Sequence, residues 1–327
     1  MENLDKENLR IFTGNGNPAL SRAICSYLGV PLADCLMTKF GNGETRVEIG
    51  EGEVVREKRC YIINTCAEPV NDNLMGTLIL SDALMRASAQ EINILMASYF
   101  YARADRKNVS GVPITAKLVA NLLKTAGVNR IITMDLHSAQ IQGFTDNPFD
   151  NLYVSPIFLP YLRENFNGNM VIVAPDENAV KRAKAYANIL GADLGVIMKF
   201  RDHKLPGQVK EMTRLIMLKG DDVAGKDVVI LDDMIDGGGT MKEAAQIILK
   251  VNARSVHAAA THGFFSGNAF DKLREGGIKS VIVSDTLPMP ENMPDFVKCL
   301  SAAPLLGEAL GRIHMGQKLS GLFEIAL

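Results

Sequence analysis

"VVILDDMIDGGGTM", Val228 to Met241, decides how this chain is read. Its first residues are apolar and mostly β-branched, the pattern of a strand buried on both faces. Asp232 and Asp233 close the run, and on a strand their side chains should point to opposite faces, so the turn must bring one of them around. Asp236 follows, then Gly237, Gly238 and Gly239, which permit positive φ and close approach of backbone to a ligand. Thr240 should then open a helix whose N-terminal N–H groups favour a phosphate. Carboxylates accept hydrogen bonds from vicinal sugar hydroxyls, or hold a divalent cation through water. The stretch therefore fits hydroxyls at one end and a monophosphate at the other. It is neither a Walker A loop nor GxGxxG, because the lysine and the spacing are missing. A plain strand-to-helix turn with Asp236 near the N-cap would explain the glycines, but not the paired acids.

The same alternation extends in both directions. Strands are expected at 9–14, 60–65, 92–98 and 130–135, with helices near 17–28, 72–89 and 114–126. Further strands are expected at 170–175, 194–200, 227–233, 255–262 and 280–285, with helices near 177–190, 239–251 and 302–313. Near-continuous apolar strands interleaved with helices predict mostly parallel sheets flanked by helices. The two halves have a similar element order. The expected division is an N-terminal domain over 1–150 and a C-terminal domain over 151–303, with a terminal helical segment, 304–327, joining the first. The irregular stretches 99–113, 136–153 and 200–210 all follow strands, where open α/β sheets bind ligands.

At 327 residues, 47% hydrophobic and 22% charged, the chain can bury a full core in two domains. Its net charge of −2 gives no global attraction to nucleic acid or to a membrane. No apolar run approaches a membrane span, and MENLDKENLR lacks the apolar core of a signal peptide, so a cytoplasmic protein is expected. Cys25, Cys35, Cys60, Cys66 and Cys299 are scattered without a CxxC, which argues against a disulfide framework or a zinc site.

"VVILDDMIDGGGTM" resembles the ribose-5-phosphate motif shared by phosphoribosyltransferases and ribose-phosphate diphosphokinases. Four other segments resemble the diphosphokinases, in that family's order: "KFGNGETRVEI" (39–49), "YFYARADRKNVSGVPITAKLVANLLKTAGVNRIITMDLHSAQIQGF" (99–144), "VIVAPDENAVKRAKAYANILGADLGVIMKFRD" (171–202) and "PLLGEALGRIH" (304–314). The resemblance implies two similar phosphoribosyltransferase-like domains. It also implies Mg²⁺-dependent transfer of the diphosphoryl group of ATP to the C1 hydroxyl of ribose 5-phosphate. The alternatives are a non-catalytic subunit of such an enzyme and a phosphoribosyltransferase.

The resemblance assigns roles to particular residues. Lys199 and Arg201 would act on the transferring phosphate from a loop after a strand. His137 and Asp176 would share one Mg²⁺, although histidine is an unusual magnesium ligand. Phe40, Asn42, Gly43 and Glu44, on a hairpin turn, would meet ATP together with Arg103. Asp232, Asp233, Asp236, Gly237, Gly238, Gly239 and Thr240 would hold ribose 5-phosphate. The hairpin turn would reach a neighbouring subunit, implying a homo-oligomer (a hexamer by resemblance). The chain departs from the family's pattern at Asn42, at Ala104, at Glu177-Asn178-Ala179 in place of His-Gly-Gly, and at Gly237-Gly238 in place of Thr-Ala. His203, His257, His262 and His314 have no ligand context and are expected to be structural.

Overall fold

A computed structural model describes residues 4–166, 168–202 and 210–322, with the backbone alone at 200–202 and 210–212. The chain forms two compact units. Unit 1 gathers Met1–Val154, Asp285–Pro288 and Ser301–Phe323; unit 2 gathers Ser155–Ser284, Met289–Leu300 and Glu324–Leu327.

Unit 1 begins with β1 (Leu9–Thr13) and α1 (Pro18–Leu28), capped by Asn17 Oδ1 accepting from Leu20 N at 3.2 Å. A separate antiparallel hairpin follows, β2 (Cys35–Lys39) and β3 (Thr45–Ile49). The chain then runs β4 (Arg59–Asn64), α2 (Val70–Arg86), β5 (Glu91–Met96), α3 (Thr115–Thr125), β6 (Arg130–Met134) and β7 (Phe149–Leu152). Among the described residues the main sheet is parallel, in the order β1-β4-β5-β6-β7. Its strands bury nearly every residue, which is why they read as unbroken apolar runs.

Unit 2 opens with α4 (Ser155–Asn165), β8 (Met170–Ala174) and α5 (Val180–Leu190). A long hairpin of β9 (Asp193–Asp202) and β10 (Lys210–Lys219) follows, then β11 (Asp227–Ile235), α6 (Gly239–Lys250), β12 (Ser255–Gly263), α7 (Ala269–Glu275), β13 (Ile278–Ser284) and β14 (Val297–Leu300). The strand order is β10-β9-β8-β11-β12-β13-β14. The sheet is mixed, because β10 runs antiparallel to β9 while the remaining pairs are parallel. The chain returns to unit 1 with α8 (Ala303–His314), which packs on α1 through Tyr27 Oη donating to Glu308 Oε2 at 2.9 Å.

Several elements differ from the sequence reading. The stretch 136–153 is not irregular throughout, since it holds a 3₁₀ turn at Ala139–Phe144 and strand β7. Strand β11 continues past the aspartates to Ile235, and α6 starts at Gly239 with Gly238, not Asp236, as its N-cap. Neither α4, β10, α7 nor β14 was expected.

The two units repeat one plan: strand, helix, antiparallel hairpin, strand, helix, strand, helix, strand, strand. They differ at the end of the strand that comes after the hairpin. In unit 2 that strand, β11, ends in acids. In unit 1 it is β4, ending in Asn64, which is buried and fully engaged. Asn64 Oδ1 accepts from Gly16 N at 3.0 Å and Thr65 N at 2.9 Å, while Nδ2 donates to Asn73 O at 3.1 Å and Thr77 Oγ1 at 2.7 Å. A Cβ on Gly14 would lie 2.2 Å from Asn64 Cγ, so glycine alone lets this amide fill the position. We expect Asn64→Ala to strand two buried N–H donors and cost about 2–4 kcal/mol, read by chemical denaturation. A loss under about 1 kcal/mol would show that water replaces the amide.

Candidate active site

Strand β8 is shorter than its neighbours. It ends at Ala174 before Pro175, which has no N–H to donate to a central strand. Its pairings stop at Ala174 with Val196 of β9 and at Val173 with Ile230 of β11. Beyond them β9 runs on from Ile197 to Asp202 against β10, and β11 runs on to Ile235 against β12. A notch therefore opens above β8. The chain leaves β8 through α5 toward β9 and leaves β11 through α6 toward β12, in opposite directions across the sheet. This is the topological switch point at which open α/β sheets take ligands.

Asp232 and Asp233 stand on the β11 side of the notch, with Asp233 buried. The turn expected to bring the two together comes later, since both lie within β11 and burial still alternates there, Asp232 partly exposed and Asp233 buried. Asp233 N donates to Asp232 Oδ1 at 2.9 Å, and the two carboxyl groups hydrogen-bond each other. Removal from solvent pushes the Asp232 carboxyl well above its ordinary range; the Asp233 charge adds to this, and the Arg182 guanidinium of α5 opposes it. Asp236, Gly237 and Gly238 then turn the chain, Gly238 taking φ +73° in the left-handed region. A Cβ there would lie 3.0 Å from Ala269 O, because α7 packs directly behind the loop. The glycine at 238 is thus a requirement of this turn. No side chain caps α6, and Gly239 and Thr240 are exposed, which leaves its first N–H groups facing outward for an anion.

The turn after β8 is held by Asp176. Its Oδ1 accepts from Asn178 N at 2.9 Å and Ala179 N at 3.1 Å, securing the entry to α5. Asp176 thus has a structural task that its sequence context did not reveal, and its carboxylate keeps lone pairs for a further partner. Glu177 is exposed beside it. On the other side of the notch, Lys199 sits inside β9, opposite Thr213 of β10, and not on a loop after the strand as the resemblance implies. Its Nζ lies 3.0 Å from Glu243 Oε2 on α6, and Thr213 Oγ1 donates to Glu243 Oε1 at 3.3 Å. Glu243 was not singled out, because nothing in an exposed helical glutamate signals a partner on a strand. Arg201 lies on the same strand, two residues on; its side chain and His203 are outside the described residues.

Six of the expected site residues belong to unit 1. Phe40 is 51% exposed at the hairpin turn, with the Arg46 guanidinium 5.9 Å from its ring centroid. Asn42 and Glu44 close the turn on each other: Asn42 Nδ2 donates to Glu44 Oε2 at 2.9 Å, and Glu44 N donates to Asn42 Oδ1 at 3.2 Å. Gly43 between them takes φ +91°. Arg103 is exposed on the loop after β5. His137 is exposed beyond β6, where buried Asp135 shapes the loop by accepting from Val154 N at 2.8 Å. Among the described residues, His257 and His314 are buried in hydrogen-bonded settings: the imidazole of His257 lies between Ser255 and Ser280, and His314 Nε2 meets Asp5 O.

Comparison with known proteins settles the kinship. Residues 9–127 match the N-terminal domain of ribose phosphate pyrophosphokinase, and residues 160–283 match the phosphoribosyl transferase domain. The ribose-phosphate pyrophosphokinase of Wolinella succinogenes is 42% identical over 96% of this chain and 98% of its own length. The chain belongs to the ribose-phosphate pyrophosphokinase family. That of Caldanaerobacter subterraneus subsp. tengcongensis is 44% identical over 97% of this chain and 98% of its own. The crystal structure of phosphoribosylpyrophosphate synthetase from Mycobacterium smegmatis superposes with a TM-score of 0.87 at 37% identity, covering 94% of this chain and 99% of that one. The two α/β units with helix-flanked sheets are therefore the family's fold.

The carboxyl pair links stability to pH. The folded-state pKa of Asp232 lies above its unfolded value, so below about pH 4 both states hold the proton and the site imposes no cost. As pH rises past the unfolded pKa toward the folded one, the unfolded state ionises first and stability falls. Asp232→Asn should consequently raise the melting temperature at pH 7, with the gain vanishing toward pH 4. A gain that does not change with pH would show that the acids do not share a proton.

Proposed function

We propose that the protein transfers the diphosphoryl group of ATP to the C1 hydroxyl of ribose 5-phosphate, giving 5-phosphoribosyl 1-diphosphate and AMP. The observation that carries this reading is the notch above β8, with paired acids and an uncapped glycine-rich helix start on one side and Lys199 on the other. Asp232 and Asp233 accept from the ring hydroxyls, and Asp236 with Gly237, Gly238, Gly239 and Thr240 receives the 5-phosphate on backbone N–H groups. The C1 oxygen attacks the β-phosphorus. The bond from that phosphorus to the bridging oxygen breaks with its electrons passing to AMP, and the hydroxyl proton leaves to solvent. Lys199 and Arg201 offset the charge that builds on the transferring phosphate, a demand greatest in the transition state. For Lys199 this means exchanging its exposed pair with Glu243, which such a pair makes cheap.

Phe40, Asn42, Gly43, Glu44 and Arg103 are proposed to take the nucleotide, Phe40 stacking on adenine. The hairpin turn serves a neighbouring subunit, so the working form is a homo-oligomer, a hexamer by resemblance. The domain limits proposed are 1–150 and 151–303, with 304–327 joining the first. Among the described residues no helix is long and apolar enough to cross a membrane, in keeping with the cytoplasmic setting proposed.

Magnesium suits the donors present. Asp176 retains lone pairs beyond its turn. His137 and Asp176 are the proposed ligands, and the ion would supply charge neutralisation to the phosphates.

AMP should appear only when ATP, ribose 5-phosphate and Mg²⁺ are all present. Purified protein that forms no AMP alone but copurifies with an active relative would instead identify a non-catalytic subunit. Consumption of phosphoribosyl diphosphate with a nucleobase would identify a phosphoribosyltransferase. Lys199→Ala should lower kcat by about 100-fold or more while ribose-5-phosphate affinity stays within a few fold. Equal losses in both would refute a transition-state role. Asp236→Ala should act the other way, raising the Michaelis constant for ribose 5-phosphate.

A further inference from the structure

Behind the glycine loop lies α7, and one of its side chains is not accounted for by packing. Ala269 backs Gly238, and one turn further Lys272 extends toward the loop. A Cβ on Gly237 would sit 3.9 Å from Lys272 Nζ. Lys272 is half-buried and makes no ion pair among the described residues. The acids around it are already committed. The Glu275 carboxylate is held low first by its pairing with Lys242 of α6, and Lys272 adds only a weaker, longer-range pull. Asp271 pairs with Arg274 at 3.7 Å. Arg274 in turn lies 5.0 Å from the centroid of Phe296.

A half-buried ammonium without an ion pair, beside an uncapped helix start, places two sources of positive potential on one loop. Without a ligand they repel each other. A dianionic phosphate satisfies both at once: the N–H groups of α6 bind its oxygens, and an ammonium supplies the charge that backbone amides lack. A flexible lysine stem can move its head group by a few ångströms to reach such an oxygen.

We propose that Lys272 is a further binding residue for the 5-phosphate and sets the selectivity for a phosphorylated sugar. This rests on the loop being the ribose-5-phosphate subsite. Lys272 acts on affinity and not on the C1 chemistry, so its signature separates from that of Lys199.

The test is calorimetric titration of the full-length protein with ribose 5-phosphate, at two salt concentrations, for native protein, Lys272→Ala and Lys272→Arg. The expected result is a roughly tenfold weaker Kd in Lys272→Ala, a shallower salt dependence in that variant, and recovery to within about threefold in Lys272→Arg. The Michaelis constant for ribose 5-phosphate should rise in parallel, while that for ATP should not. Native protein that binds ribose 5-phosphate with Lys272→Ala within twofold of it would overturn the role of Lys272 and leave the subsite standing. Equal weakening in the alanine and arginine variants would overturn it too, since that outcome reports packing of α7 and not charge. Native protein that neither binds ribose 5-phosphate nor forms AMP would overturn the subsite reading itself.

Discussion

Strand β8 has to stop where it does. It is a central strand, so each residue must satisfy hydrogen bonds on two sides, and Pro175 cannot donate. The neighbouring strands carry no such block and continue beside the gap. Everything proposed for the site depends on this one truncation. It leaves the free edge of β11 at Asp232 and Asp233, it directs the Asp176 turn across the base of the notch, and it leaves Lys199 on a stretch of β9 paired only with β10. Chain direction reinforces the effect, because the crossovers from β8 and β11 diverge.

Unit 1 shows the same plan without the opening. Asn64 occupies the end of β4 with four hydrogen bonds and closes the position that acids occupy in unit 2. Thr65 extends the closure by donating to Thr286 O at 2.7 Å and accepting from Ser98 N at 3.0 Å. A repeated architecture has thus been put to two uses. In one unit the strand end is saturated by its own polar groups and gains rigidity. In the other it carries Asp232 and Asp233 beside the notch above β8.

Much of the fold was legible because buried parallel strands write themselves as apolar runs, and β11 with its acids and glycines carried both fold and chemistry. The elements that escaped notice have physical reasons. Helix α7 spans two turns, too few for an amphipathic period to show, and α4 carries an internal proline at Pro160. Strand β10, "KEMTRLIMLK", lies on a sheet edge and mixes charged with apolar residues, so no buried run marks it. At the site, residue types were readable and partnerships were not. The acids, glycines and Lys199 stand out in the sequence, whereas the pairing of Lys199 with Glu243, 44 positions away, exists only in three dimensions. Asp232 and Asp233 keep the strand's alternation of burial, and the convergence of their carboxyl groups, which a turn was expected to bring about, occurs within β11.

That convergence gives the site its chemical character. Burial and the neighbouring Asp233 push the Asp232 carboxyl well above its ordinary range, while the start of α6, a few residues away, has no side-chain cap on its N-cap glycine. A side chain in place of Gly238 could have capped the helix. The left-handed turn at Gly238, braced by Ala269, leaves the cap without a side chain. Two centres of opposite sign, separated by one rigid turn, match a molecule that carries hydroxyl donors at one end and a phosphate at the other. Because the turn is already set, a ligand of the kind proposed would gain from both ends at once.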